Sequence, residues 1–355
     1  MKNFRIACLP GDGIGLEVMS AAQDVLQTAA EIHGGVVFDF TNFPWGSDYY
    51  VENGLMMPED GIRQLKEFDT VFLGAVGNPK LVPDHISLWG MLIKIRRELE
   101  LSLNVRPARV LRGIDSPLHS PNDFNFIVVR ENSEGEYSEA GGVIHNGPDE
   151  IAVQNGIFTR KATERAIRYA FKLAKKRGSK VTSATKSNGI VHSMPFWDRI
   201  FNEVAAEYPD VETRSVHIDA LSAFLVTKPE TFDVIVASNL FGDILTDLGG
   251  AIMGSIGIAP SANLNPEGKY PSMFEPVHGS APDIAGQGKA NPLGQVWTAS
   301  MMLDHLGLPE LGAAILEACE EVTGEGIKTP DIGGTSSTEE VTAAICSALR
   351  KKADV

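Results

Sequence analysis

The 355-residue chain reads as an α/β protein of two to three domains, any second domain being inserted into the first, and three features carry that reading. Short apolar runs that end in Gly, Pro or Asp alternate with stretches of helical period along the whole sequence, the pattern of strands connected by helices. The length suits roughly two to three domains at about 100–200 residues each. No repeat, low-complexity run or flexible linker divides the sequence, so a second domain has to sit inside the first.

From the amino terminus, Phe4–Leu9 is a short apolar strand, Pro10–Gly15 a turn, and Leu16–Ile32 a helix with Val18, Ala22, Val25, Leu26 and Ala29 on one face. Val36–Phe40 is a second strand, and Val71–Gly77 a buried strand ending in glycine. Phe126–Val129, Lys180–Ala184, Val211–Ile218 and Val234–Ala237 continue the strand series, with helical stretches between most of them. Val143–Phe158 lacks helical period and predicts an extended hairpin arm.

Composition removes several function classes. Apolar residues make up 43% and charged residues 22%, an ordinary globular balance, and the net charge of −15 leaves no basic stripe for a nucleic-acid backbone. No apolar run reaches the ~18 residues of a membrane span; Val234–Ala259 comes nearest and is broken by Asn239, Asp243 and Asp247. The first residues lack the apolar core of a signal peptide, so the expected location is cytoplasmic. Cys8, Cys319 and Cys346 are too widely spaced for a CxxC metal knot or a dense disulfide frame.

Three groups of residues invite chemistry. Gly11-Asp12-Gly13-Ile14-Gly15 lies between a strand and a helix, as a dinucleotide fingerprint would, but GxGxxG needs glycine where Leu16 stands. The plainer reading is a tight turn, and any nucleotide site is then not of Rossmann type. Asp243 and Asp247, four apart in a stretch that opens a helix, share one face. They are either solvated surface carboxylates or a seat for a hard divalent ion, which relieves their repulsion; their Ile, Leu, Phe and Gly neighbours disfavour a wet surface. Arg96, Arg106 and Arg130 each end an apolar element. Singly they read as surface ion pairs; converging, they would bind a small di-acid through bidentate guanidinium forks.

With these residues in place, the chain resembles the β-decarboxylating dehydrogenases of 2-hydroxy acids, the family of isocitrate, 3-isopropylmalate, D-malate and tartrate dehydrogenases. The resemblance runs from Leu9-Pro10-Gly11-Asp12-Gly13-Ile14-Gly15 to Asp331-Ile332-Gly333-Gly334. Its most specific parts are Asn239–Asp247 and Phe274–Gly286. It implies an isopropylmalate-dehydrogenase-like fold with a non-Rossmann nucleotide site. A discontinuous cofactor domain would cover residues 1–99 and 257–355, and a substrate, metal and dimerisation domain 100–256, with an intersubunit arm near 143–158. It implies a homodimer with shared active sites, NAD, Mn²⁺ or Mg²⁺ and a monovalent cation such as K⁺.

Carried over position by position, Arg96, Arg106 and Arg130 would clamp substrate carboxylates. Tyr137, in Arg130-Glu131-Asn132-Ser133-Glu134-Gly135-Glu136-Tyr137, matches the catalytic tyrosine, and Lys186, in Thr185-Lys186-Ser187-Asn188, the catalytic lysine. Asp219, Asp243 and Asp247 match the metal carboxylates, with Asp219 and Lys186 reaching across the dimer. On the cofactor side stand Ile14, Asn188, Glu275, His278, Gly279, Ser280, Ala281, Asp283 and Asn291. Asp283 would accept hydrogen bonds from a free ribose and repel a 2′-phosphate, which selects NAD over NADP.

The implied reaction needs a base for the C2 hydroxyl proton (Lys186, with Asp219 or water assisting), a hydride acceptor, and an acid at C3 (Tyr137). Isocitrate members place serine and asparagine six and four residues before the first clamp arginine. Here those positions are Gly90 and Leu92, so isocitrate is excluded for want of polar partners. Isopropylmalate members share the apolar character of this stretch, but Trp89 stands where they carry glutamate and would shrink the isopropyl pocket. Phe43–Tyr50, Asp84–Gly90 and Ala290–Trp297 are most similar to the tartrate/D-malate branch. The expected activity is oxidation of D-malate to pyruvate and CO₂, with tartrate as a related substrate. The alternatives are a 3-isopropylmalate dehydrogenase and, in another class, a silent anion-binding protein on the same fold.

Overall fold

A computed structural model of the chain describes residues 1–119 and 123–353. Its first elements are β1 (Lys2–Gly11), α1 (Gly15–His33), β2 (Val36–Asn42), α2 (Ser47–Asn53), α3 (Gly61–Leu65), β3 (Thr70–Ala75), α4 (Asp84–Ser87) and α5 (Ile93–Glu98). Next come β4 (Leu103–Arg109), β5 (Asn125–Glu131), β6 (Gly141–Ile144), β7 (Ile151–Gln154), α6 (Arg160–Ala174), β8 (Lys180–Thr185) and α7 (Ser193–Ala205). The remainder is β9 (Glu212–His217), α8 (Ile218–Thr227), β10 (Val234–Ala237), α9 (Asn239–Ile252), β11 (Ala262–Leu264), β12 (Ser272–Phe274), α10 (Leu293–His305), α11 (Pro309–Gly324) and α12 (Thr338–Ala353).

The chain divides into two compact units. The first comprises Met1–Leu101, Val110–Pro117 and Gly250–Val355, the second Ser102–Arg109 and Leu118–Gly249. Strand order in the first is β2-β1-β3-β12-β11, parallel except for the β11–β12 pair. All six residues of β3 are buried, as befits a parallel strand covered on both faces. Val18, Ala22, Val25, Leu26 and Ala29 line the buried face of α1, which packs against α10, α11 and α12. That helix stops at Gly34, whose φ of 67° lets its amide turn back to the Ala30 carbonyl at 3.0 Å.

In the second unit the order is β4-β5-β10-β8-β9, parallel except for β4–β5. Across it lies α6, whose Ala166, Ile167, Ala170 and Phe171 are buried and whose N-cap Thr159 accepts from the Ala162 amide at 3.2 Å. The stretch predicted to be extended forms the β6–β7 hairpin, with every residue of both strands exposed. Among the described residues no helix is long and apolar enough to cross a membrane.

Two local features escape a reading by periodicity. The helix before Arg96 widens into a π-turn over Leu88–Leu92, which shifts the helical phase of α5; such turns often accompany functional sites. Strands β11 and β12, three residues each, are too short to show alternation.

The loop after β1 has a structure of its own. Gly11 and Gly13 have φ of 72° and 57°, and a Cβ on Gly13 would lie 2.0 Å from the Ser280 carbonyl oxygen. The amides of Asp12, Ile14 and Gly15 donate to the carbonyls of Ala75, Ser280 and Asp12 at 2.8, 2.8 and 3.0 Å. With those amides engaged by protein, the turn is no Rossmann phosphate cradle. The buried Asp12 carboxylate accepts from the Ser47 amide (2.7 Å), the Ser47 hydroxyl (2.8 Å) and the Gly77 amide (2.7 Å). Asp12→Ala leaves three donors unmatched and is expected to cost about 2–4 kcal/mol. Urea unfolding checks this, and an unchanged midpoint would show that water replaces the carboxylate freely.

Candidate active site

The register of β4 against β5 sets Arg130 opposite Asn104 and Val128 opposite Arg106, so Asn104, Arg106 and Arg130 project from the same face. Helix α9 follows β10 and meets that face with Asn239, Gly242, Asp243, Thr246 and Asp247, the i, i+3, i+4, i+7, i+8 stripe of a helix. Gly242 is needed for the approach: a Cβ there would stand 2.6 Å from both Cβ and Cγ of Arg130. Arg130, 3% exposed, donates Nε and Nη2 to Asn239 Oδ1 at 2.9 and 2.7 Å and Nη1 to Asp243 Oδ1. Arg106 donates Nε to Asn104 (2.7 Å) and Nη1 to Thr246 Oγ1 (2.8 Å), with Asp247 at 3.5 Å and Asp243 at 3.8 Å.

Tyr137 joins this cluster. Its hydroxyl donates to Asp243 Oδ2 at 2.8 Å, and its ring lies under the Arg130 guanidinium at 5.5 Å. Burial, reinforced by the Asp243 carboxylate, pushes its hydroxyl above the usual phenol range and keeps it protonated at neutral pH. Burial likewise pushes the Asp247 carboxyl up, Asp243 adding to the effect and Arg106 opposing it. The loop reaching Tyr137 is braced by buried Glu131, which accepts from the Ser133 amide and hydroxyl and the Glu134 amide.

Lys186 and Asp219 form a second group. Pairing of Thr185 with His217 between β8 and β9 brings Lys186 beside the first turn of α8, where Nζ lies 2.7 Å from Asp219 Oδ2. The hydrogen bond from Lys186 draws the exposed Asp219 carboxyl below its ordinary value. Among the described residues no three His, Cys, Asp or Glu side chains converge as a metal site, so Asp219 does not join Asp243 and Asp247 within one chain. Asn188 lies exposed in the turn after Lys186.

The remaining predicted residues belong to the first unit. Arg96 Nη2 pairs with Glu275 Oε1 at 2.5 Å, and Asn263 donates to the same oxygen at 2.8 Å. Both side chains are about nine-tenths buried, and Arg96 Nε is buried without a partner, a donor that calls for an acceptor. Leu92 packs on the core formed by Met91, Ile95 and Leu99, while the Trp89 ring lies under the Arg97 guanidinium at 4.8 Å. Ile14 packs with Ala281, Ile284 and Ala290. His278 is buried with Nδ1 3.0 Å from the Gly279 carbonyl. A carbonyl only accepts, so Nδ1 carries the proton and Nε2 shows a lone pair that no polar group among the described residues meets. Burial lowers its pKa and keeps the ring neutral. Asn291 is fixed by Asp331 (3.0 Å) and the Leu293 amide (3.0 Å), Ser280 donates its hydroxyl to the Gly77 carbonyl, and Asp283 and Gly279 are exposed on the same loop.

Sequence reasoning named the charged members of this cluster and missed Asn104, Asn239, Gly242 and Thr246 as its supports. The signal was present for three of them: extending the aspartate pair by helical period reaches residues 239, 242 and 246. Asn104 needed the strand register.

The residues fit a hard divalent ion. Asp243 and Asp247 present carboxylates along one helical stripe, burial raises the Asp247 carboxyl with Asp243 adding to the effect, and Mg²⁺ or Mn²⁺ asks for one or two carboxylates with the rest from water and substrate. The unmatched His278 Nε2 fits a ligand that donates, such as the amino group or hydroxyls of a nucleotide.

Residues 5–345 match the model of the isocitrate/isopropylmalate dehydrogenase family. The chain belongs to that family. Among its relatives is a protein of Bacillus subtilis (strain 168) named probable tartrate dehydrogenase/decarboxylase, 72% identical over 99% of both chains. The D-malate dehydrogenase [decarboxylating] of Escherichia coli (strain K12) is 52% identical over 98% of this chain and 99% of its own. In three dimensions this family member is similar to the crystal structure of isocitrate dehydrogenase from Methylococcus capsulatus, with a TM-score of 0.88, 34% identity, and coverage of 98% and 99% of the two chains.

Gly242→Ala tests the packing beneath the cluster. The added methyl has no room against Arg130, so activity is expected to fall at least tenfold while the helix itself, which favours alanine, stays formed. Steady-state kinetics with far-ultraviolet circular dichroism measures both, and full activity would mean that Arg130 moves aside without consequence.

Proposed function

We propose that this protein is an NAD-dependent oxidative decarboxylase of D-malate that yields pyruvate and CO₂, uses Mn²⁺ or Mg²⁺, and oxidises tartrate as a related activity. The coarser reading, a β-decarboxylating dehydrogenase, follows from the family and from the names of its relatives. The choice of D-malate among di-acids is supported by Trp89, Gly90 and Leu92 before Arg96, and the observation that carries the reaction is the polar stripe of α9, where two carboxylates lie beside two buried guanidiniums and a protonated tyrosine. Di-acid recognition and acid catalysis need just that combination.

In this reading Arg106 and Arg130 receive the substrate carboxylates, and Arg96 offers its unmatched Nε donor to one of them. Lys186, entering as the neutral amine, takes the proton of the C2 hydroxyl, and Asp219, whose Oδ2 lies 2.7 Å from Nζ, is placed to hold the ammonium that results. The Tyr137 hydroxyl delivers its proton to C3 as CO₂ departs. The His278–Asp283 loop with Ile14, Glu275, Asn188 and Asn291 would hold NAD, which when bound would be the hydride acceptor. Asp243 and Asp247, completed by Asp219, would hold a divalent ion, which when bound would supply Lewis-acid stabilisation of charge developing on the keto oxygen. Asp283, exposed on its loop, is suited to a free ribose rather than to a 2′-phosphate.

A homodimer follows, with Lys186 and Asp219 serving the neighbouring copy. It is supported by the apolar, exposed hairpin bearing Val143 (64%), Ile144 (53%) and Ile151 (52%), and among the described residues Asp219 forms no three-carboxylate group with Asp243 and Asp247 in one chain.

NADH formation with Mn²⁺ and D-malate, L-tartrate, meso-tartrate or 3-isopropylmalate tests the substrate assignment. D-Malate is expected to give the highest kcat/KM, and a chelator to abolish turnover. A clear win for 3-isopropylmalate would refute the role given to Trp89; no turnover on any of the four would favour an anion-binding protein. A mixture tests the shared sites. Lys186→Ala and Asp243→Asn are each expected to be inactive, and refolding them together in equal amounts should restore about a quarter of wild-type activity, because half the dimers then hold one intact site. No recovery would place the whole site within one chain.

A further inference from the structure

We infer that Asn239 is a positioning residue for the substrate: it sets the plane of the Arg130 guanidinium and ties it to the loop that carries Tyr137. This rests on the reading of Arg130 as a carboxylate receptor. Asn239 is 3% exposed, as is Arg130, and each of its side-chain atoms capable of hydrogen bonding is committed. Oδ1 takes Nε and Nη2 of Arg130 at 2.9 and 2.7 Å, while Nδ2 donates to the Glu134 carbonyl at 2.9 Å. An arginine facing one end and a carbonyl facing the other admit only this orientation of the amide.

The consequence is geometric. A guanidinium is a rigid fork, and fixing the Nε–Nη2 edge fixes the direction of Nη1, the atom that meets Asp243. The acceptor has to be neutral as well. An aspartate at 239 would turn an acceptor toward the Glu134 carbonyl and cancel the charge that draws an anion to Arg130. Serine or alanine would fall short of both partners. From Glu134 the tie continues, since its carboxylate accepts from the Thr159 amide and hydroxyl at 2.6 Å each, anchoring the loop to the start of α6.

The test uses the full chain with NAD, Mn²⁺ and D-malate. Asn239→Ala is expected to raise KM for D-malate at least tenfold and to leave KM for NAD within about twofold. In an Arg130→Lys background the same change should add less than about threefold, because an ammonium has no fork to orient. Equal losses in both backgrounds, or an unchanged KM with only a lower melting temperature, would overturn the assignment. If Asn239→Ala does not fold, Asn239→Asp replaces it: a tenfold higher KM is expected, and an unaltered one counts against the proposal. Arg130→Lys alone separates the two levels of inference. Should it leave KM unchanged, the reading of Arg130 fails; should it raise KM while Asn239→Ala proves additive, only the positioning role fails.

Discussion

The contact on which the second unit's chemistry depends is the packing of α9's polar stripe against Arg106 and Arg130. A buried guanidinium without counter-charge is costly, and so is a pair of carboxylates one helical turn apart. Each set offsets the other here: Asp243 lies against Arg130 and within reach of Arg106, and Asp247 lies 3.5 Å from Arg106 with Arg130 acting on it from farther away. The balance is incomplete on the carboxylate side, where Asp247 keeps a raised carboxyl despite its arginine neighbour. Such a site is prepared for opposite charges at once, an anion toward the guanidiniums and a cation toward the carboxylates. That suits a metal-assisted reaction of a di-acid better than a purely structural ion-pair network.

The first unit solves its problem by other means. Its candidate cofactor loops are held by backbone contacts and by one buried carboxylate, Asp12, that fastens Ser47 and Gly77. Ser280 completes the arrangement, its carbonyl meeting the Ile14 amide and its hydroxyl the Gly77 carbonyl. Here glycine at 13 serves close approach to Ser280, and the resemblance to a dinucleotide fingerprint reflects a shared need for tight turns, not a shared ligand mode.

Legibility in the sequence depends on range. Helices with a clear apolar face, such as α1, and the fully buried strands β3 and β10 show a period or a run within a few residues. The aspartate pair is legible for the same reason, being one helical turn. Arg106 and Arg130 look like isolated strand-end charges because only the antiparallel register of β4 with β5 puts them on one face. The π-turn at Leu88–Leu92 is invisible to a 3.6-residue period, and it spans Trp89 to Leu92, the residues proposed to choose among di-acids. Arg96 was legible as a candidate, but its pairing with Glu275, 179 residues away, was not.

Net charge bears on recognition as well. At −15 the net charge of the chain supplies no overall attraction for an anion. Arg130, Arg106 and Arg96 are all about nine-tenths buried or more on their side chains, where a charge is least screened. Charges so placed act strongly only when aimed, because a misdirected buried guanidinium loses its partner without gaining water. Direction is what Asn104 and Asn239 provide, each offering a neutral oxygen to the Nε edge of an arginine. Two amides thus fix two forks without consuming their charge, and the carboxylates of α9 are left as the counter-ions that a substrate and a metal would together rearrange.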